Sequence, residues 1–192
     1  MPAAAPTENK HQVKAMTRLA QRTLAVVRIA TGVFFLFFGE YKVVNPVFAT
    51  TAFPQQWLQE FIQEGAVGPY KIFLATIVMP HHVFFGYAVG VVELLIGFSL
   101  VLGLFVSAAS VLGVLHMVNL TLATWWEPGH GVPFWRYFGA ELDHLPLLFL
   151  FLIFYTARAG RTWGLDGVLA RRRAPTFMDS SGVRTRRYSR YR

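Results

Sequence analysis

Three strongly polar side chains stand in the apolar middle of this chain: Glu93, His116 and Asn119. Between residues 83 and 124, Glu93 is the one Asp, Glu, Lys or Arg. A carboxylate at the centre of a membrane helix costs at least about 2.5 kcal/mol on insertion scales, so its presence there marks a site or a buried pair. His116 and Asn119 are three residues apart and share one side of a helix. A carboxylate beside an imidazole can take up and release a proton near neutral pH, which makes Glu93 and His116 the candidate catalytic residues. The same groups could equally form a structural hydrogen bond between helices, worth about 1 to 2 kcal/mol in model systems, with Asn119 adding to it. The sequence leaves both readings open.

A second polar group is expected at one surface, where His81, His82, Glu141, Asp143 and His144 gather and Glu40 and Lys42 approach from an earlier helix. Histidine with carboxylates suits zinc, copper or iron. His81 and His82 are adjacent, however, and diverge on a helix, so caps and headgroup contacts are the expected role and no metal site is assigned. No second buried histidine sits at the depth of His116, which disfavours a haem. The chain has no cysteine, which excludes disulfides, thiolate catalysis, Cys-ligated iron–sulfur clusters and a c-type haem attachment.

The elements that must hold these residues are membrane helices. Of the 192 residues 54% are hydrophobic and 15% charged, and a mean hydropathy of +0.42 is too high for an ordinary soluble domain. Residues 83–124 are long enough for two spans of roughly 20 residues each. The spacing predicts an all-α, polytopic four-helix bundle over residues 23–158, with spans at about 23–44, 83–105, 106–124 and 139–157. Residues 1–22 precede it as a cytoplasmic segment, and residues 159–192 follow as a basic tail.

Charge sets the expected orientation. Five of the 18 Lys and Arg residues fall between Lys10 and Arg28 and ten between Arg158 and Arg192. Basic flanks mark the cytoplasmic side, so both termini belong there, in a bacterial inner membrane, and the number of spans is even. Lys10, Lys14, Arg18 and Arg22 recur every four residues as an amphipathic lead-in. Arg28 lies where a long side chain can snorkel to lipid phosphates. The net charge of +8 therefore points to membrane lipids and to docking of other protein subunits, and not to nucleic acid.

Between the first two spans, Trp57, Leu58, Phe61 and Ile62 recur at helical spacing against Gln55, Gln59, Glu60, Gln63 and Glu64, which predicts an extra interfacial helix. Residues 70–79 are too short to span before Pro80. They form either a re-entrant piece or the start of one kinked helix running to residue 105. Gly86, Gly90 and Gly97 give the second span a small-residue face suited to close packing, with Glu93 near that side.

Taken in order, three motifs resemble the DoxX/DoxD-like family of small four-helix membrane proteins. They are Arg28-Ile-Ala-Thr-Gly32-Val-Phe-Phe-Leu36-Phe-Phe-Gly39-Glu-Tyr-Lys42, then Gly90-Val-Val-Glu93-Leu94-x-x-Gly97, then Ala159-Gly160-Arg161-x-Trp163-Gly164-Leu165-Asp166. The resemblance implies a membrane subunit of a redox system, of the kind linked to quinone or to thiol and oxidative-stress chemistry. The family-like positions are Arg28, Gly39, Lys42, Glu93, Gly97, Gly160 and Asp166. On this reading the candidate cofactor is a quinone, with no metal or haem, and its candidate binding residues are Arg28, Glu93, His116 and Asn119. Glu93 and His116 would receive the proton released when a quinol is oxidised. A structural or assembly subunit without chemistry of its own is the alternative.

Overall fold

The computed structural model describes residues 6–44, 48, 53–125, 144–173, 177–178 and 184–185. Helix α1 runs without interruption over Pro6–Val43, with proline in the first turn, where a missing amide donor is harmless. The expected lead-in and first span are thus one helix, and residues 6–9, expected to be loose, belong to it. The boundary anticipated near residue 23 survives as a change in packing: every described side chain from residue 16 to 23 is exposed, and Ala25 is the first that is buried.

Helix α2, Phe53–Glu60, continues into a wider π-type turn over Phe61–Gly65. Its Leu58, Phe61 and Ile62 pack against a small core of Ala66, Leu74, Val78 and Ala123, while Gln55, Gln59, Glu60, Gln63 and Glu64 face outward. The helical periodicity read from the sequence is the periodicity of this burial for Leu58, Phe61 and Ile62, whereas Trp57 is exposed.

Residues 68–102 form one helical run in unequal pieces: α3 over Gly68–Phe73, a π-type turn over Leu74–Val78, a tight 3-10 turn over Met79–His81, and α4 over His82–Leu102. Both alternatives for this region therefore hold a part of the answer, because the helix is continuous but folds back. Tyr70 and Glu93 would stand about 35 Å apart on a straight helix. Yet Tyr70 bonds Asn119, three residues from the His116 that touches Glu93. The bend is located at Pro80, where the proline ring opposes a regular turn, and at His81, whose φ of −118° and ψ of 29° leave the helical range.

Gly103, in the left-handed conformation at φ +64°, caps α4, whose last residue, Leu102, is three residues short of the expected boundary at 105. Helix α5 follows over Val106–Ala123 and α6 over His144–Thr156. A short turn, Ala159–Arg161, leads to α7 over Leu165–Arg173. In the tail a two-residue antiparallel pair, β1 (Phe177–Met178) and β2 (Arg184–Thr185), sets Phe177 opposite Thr185.

Helices α1 and α4 are antiparallel and in contact along small residues. A Cβ on Gly39 would stand 2.7 Å from the Gly90 carbonyl oxygen, and one on Gly97 would stand 2.9 Å from that of Gly32. Without an aqueous driving force between helices, such close backbone approach is a main source of association in a membrane. Helices α5 and α6 form the second close pair, where a Cβ on Gly113 would meet the Phe151 ring at 2.5 Å. The two pairs join through Phe35, Ile96, Leu100, Met117, Phe151 and Phe154. Phe35 and Phe151 meet edge to face at 5.3 Å, a favoured aromatic geometry.

Outside that core the surface is apolar: Phe34, Phe37, Leu95, Phe98, Leu115 and Phe149 are all more than half exposed. Three helical runs, Met16–Val43, Gly68–Leu102 and Val106–Ala123, are long and apolar enough to cross a membrane. Helix α6 is apolar but has 13 residues, and residues 126–143, where the fourth expected span begins, lie outside the described residues. The fold is an all-α, multi-span membrane bundle.

Candidate functional site

Glu93 lies midway along α4 with its side chain 5% exposed. Lys42, at the end of α1, places Nζ 2.6 Å from each of its carboxylate oxygens. His116, midway along α5, places Nε2 3.3 Å from Glu93 Oε1. An ionised carboxylate only accepts, so in this arrangement the imidazole proton sits on Nε2.

The helix directions explain why the pair can form. Side chains tilt toward the N-terminus of their own helix. Because α1 and α4 are antiparallel, Lys42 leans down its helix while Glu93 leans up the other, and the ammonium and carboxylate converge. Glycines at 39 and 90 bring the backbones close enough for this; a Cβ on Gly90 would meet Lys42 Cβ at 2.8 Å. Phe38, one turn before Lys42, offers its ring face to the ammonium at 5.7 Å, a cation–π distance. Phe35 stands edge-on to the His116 ring at 6.5 Å. The centre is thus a carboxylate held by two nitrogen groups and walled by phenylalanines.

Glu93 and His116, the two candidate catalytic residues, are brought into contact. Asn119 is drawn elsewhere: its Oδ1 accepts a hydrogen bond from the Tyr70 hydroxyl on the folded-back α3. Lys42 was expected among surface groups near His81 and His82 and is instead the principal partner of Glu93. Of that expected surface group, Glu141 and Asp143 lie outside the described residues, His82 Nδ1 lies 3.1 Å from the Met79 carbonyl, and His144 Nδ1 lies 3.4 Å from Thr124 Oγ1. Among the described residues no three His, Cys, Asp or Glu side chains converge.

Arg28 does not snorkel. It is fully buried and donates from Nη1 to the Ala159 carbonyl at 2.9 Å and from Nη2 to the Trp163 carbonyl at 3.1 Å. Gly103 and Gly164 leave room for it, since a Cβ on either would come within 2.7 Å of Nη1. Asp166 completes this second centre by accepting the Phe105 and Val106 amides at 2.8 and 3.0 Å, satisfying two orphan donors at the start of α5. The motif residues Arg28, Gly160, Gly164 and Asp166 therefore form a structural clasp. It lies at the far end of α4 from the Lys42 backbone and is distinct from the Glu93 centre.

The missed residue is Lys42. A signal existed: an intramembrane carboxylate calls for a cation, and pairing the glycines of the first span with those of the second sets a register that brings residue 42 within reach of residue 93.

The DoxX family model matches residues 23–126, more than half of the chain. No curated protein and no solved structure matches. The matched stretch includes Arg28, Lys42, Glu93 and His116, whereas the Ala159–Asp166 segment that closes over Arg28 lies beyond it. The chain belongs to the DoxX family and is a multi-span membrane protein.

Proposed function

We propose that this protein is the integral membrane subunit of a quinone-linked redox system, and that Lys42, Glu93 and His116 form its proton-handling centre. The observation that carries the reading is the buried carboxylate of Glu93, bracketed by an ammonium at 2.6 Å and an imidazole at 3.3 Å. Such a group can accept a proton from a reduced ring, while His116, whose Nε2–H donates to it, and Lys42 hold the carboxylate in place. Arg28 and Asn119 have structural partners, so in this reading they shape the bundle and Lys42 replaces them as a ligand-side group. Electrons are carried by the cofactor of a soluble partner docked to the basic end.

The same reading completes the topology. Helix α6 crosses as the fourth span, α2 lies in the membrane plane, and both termini face the cytoplasm of a bacterium.

One observation favours a second reading, a structural or assembly subunit. Lys42 occupies both oxygens of Glu93, as a purely architectural pair would. A single experiment separates the two. The native complex is purified in mild detergent, its quinone content is measured, and quinone-linked turnover is compared between the wild type and Glu93→Gln. Loss of turnover by about a hundredfold or more in a complex that still assembles supports a proton role, the usual range for a general acid–base group. Full turnover in that variant would leave the structural reading standing.

A further inference from the structure

The end of the bundle that holds Arg28 has a surface the proton chemistry does not use. On the outer side of α4 and α5, next to their connecting turn, lies a crevice of about 310 Å³ lined by Leu95, Phe98, Leu102, Phe105, Ala108 and Leu112. Its volume is at the lower edge of small-molecule sites. Its wall is apolar: the one polar side chain lining it, Ser99, donates its hydroxyl to the Leu104 carbonyl and so serves the turn. Leu95, Phe98, Leu102 and Phe105 are each about half exposed or more, so the crevice opens outward toward the hydrocarbon.

Directly beside its mouth the surface becomes cationic. Gly160 packs on Val106, where a Cβ would come within 2.8 Å of Val106 Cγ2. This places Arg161, the next residue, beside the turn that ends in Phe105. The Arg161 amide donates to the Arg158 carbonyl at 3.0 Å, so both arginines belong to one turn, and both side chains are exposed. Arg18, Arg22, Arg171 and Arg172 are exposed as well, on α1 before Arg28 and on α7. Asp166 is the acidic side chain described in the segment after α6, and both of its oxygens already accept amides. Trp163, 60% exposed, stands in the same loop, a residue type that settles at headgroup level.

We infer that this end holds one anionic phospholipid, with an acyl chain in the crevice between α4 and α5 and the phosphate against Arg158 and Arg161. The apolar slot and the cationic rim are placed in the order in which a phospholipid presents its chain and its phosphate. A neutral lipid satisfies only the slot, and a soluble anion satisfies only the rim. Juxtamembrane arginines attract anionic lipid generally; the slot converts that attraction into a single held molecule.

The test uses the full chain in bilayers of phosphatidylcholine with increasing phosphatidylglycerol, one of the two lipids carrying brominated acyl chains. Quenching assigned to Trp163, by difference from Trp163→Phe, reports which lipid sits at the site. The expected result is saturable quenching by brominated phosphatidylglycerol with about tenfold preference over phosphatidylcholine. Arg158→Gln with Arg161→Gln should reduce that preference to about threefold or less. Ala108→Phe, an outward substitution that fills the slot, should abolish saturation while the protein keeps its melting temperature. Quenching that never saturates, equal quenching by both lipids, or an Ala108→Phe protein that binds as the wild type would each overturn the site and leave only a diffuse basic surface. If the charge-neutral pair fails to fold, native mass spectrometry of the wild type decides: one retained phosphatidylglycerol supports the site, and none refutes it.

Discussion

Lys42 Nζ stands 2.6 Å from both oxygens of Glu93, although the two residues belong to helices running in opposite directions and are 51 positions apart. Glu93 is buried and Lys42 largely so, so the pair is worth little against an apolar replacement, but breaking it from one side is costly. Lys42→Met should destabilise the fold by about 3 to 5 kcal/mol by leaving a buried carboxylate without its cation. Lys42→Met combined with Glu93→Gln should recover most of that loss. Unfolding in mixed detergent micelles measures both, and a double variant as unstable as the single one would mean that the pair is not a coupled unit.

The glycines of α4 make different predictions from one another. At Gly90 a Cβ would press on Val43 and Lys42 at 2.7 and 2.8 Å, whereas at Gly86 the nearest atom, on Phe48, is 3.6 Å away. Gly90→Ala should therefore cost about 1 to 3 kcal/mol through overpacking and loosen the Lys42–Glu93 contact. Gly86→Ala should be neutral or slightly stabilising, because alanine is the better helix former. Equal effects at the two positions, in the same unfolding assay, would contradict the observed seam between α1 and α4.

How much of this was legible beforehand follows from the kind of signal each feature leaves. Hydrophobic runs and glycine spacing announced the helices, the close-packed face of α4 and the depth of Glu93 and His116, because length and periodicity are local properties. The contact of Lys42 with Glu93 was not local. It depends on an inter-helix register that emerges only when glycines on both helices are paired. Arg28 misled for a related reason: near a basic flank an arginine resembles a snorkelling residue, and only the return of residues 159–166 supplies the carbonyls that bury it. The fold-back of α3 onto α5 was hidden because a proline marks a bend without saying how far the chain turns.

The clasp around Arg28 gives a third prediction. Its guanidinium ties the carbonyls of Ala159 and Trp163 to α1, and Asp166 ties the following segment to the start of α5. Arg28→Leu leaves two carbonyls without donors, at about 1 to 3 kcal/mol each where they stay dry. The loop should open to restore their hydration. The chain has no cysteine, so a single cysteine at Thr162 is a clean reporter. Its modification by a water-soluble maleimide should speed up in Arg28→Leu and in Asp166→Ala but stay unchanged in Glu93→Gln. An unaltered rate in the Arg28 variant would show that the loop is held by other contacts.

The cysteine-free background also decides the span count. Three runs are long and apolar enough to cross, and the 13-residue apolar α6 is the candidate fourth. The basic residues gather at the two ends of the chain, ten of 18 from Arg158 onward, and the cytoplasmic bias of such residues predicts both ends on one side. An even number of spans follows only if α6 crosses. Single cysteines at Glu8 and at Ser189 should then react alike with an impermeant reagent, poorly in intact cells and readily after permeabilisation. Opposite accessibility would mean that α6 does not cross, and that the arginine tail and the clasp around Arg28 lie on different sides. Arg28 on α1 donates directly to the loop that follows α6, a contact that speaks for like accessibility. The α6 C-terminus is therefore held at the same depth as the beginning of the buried part of α1.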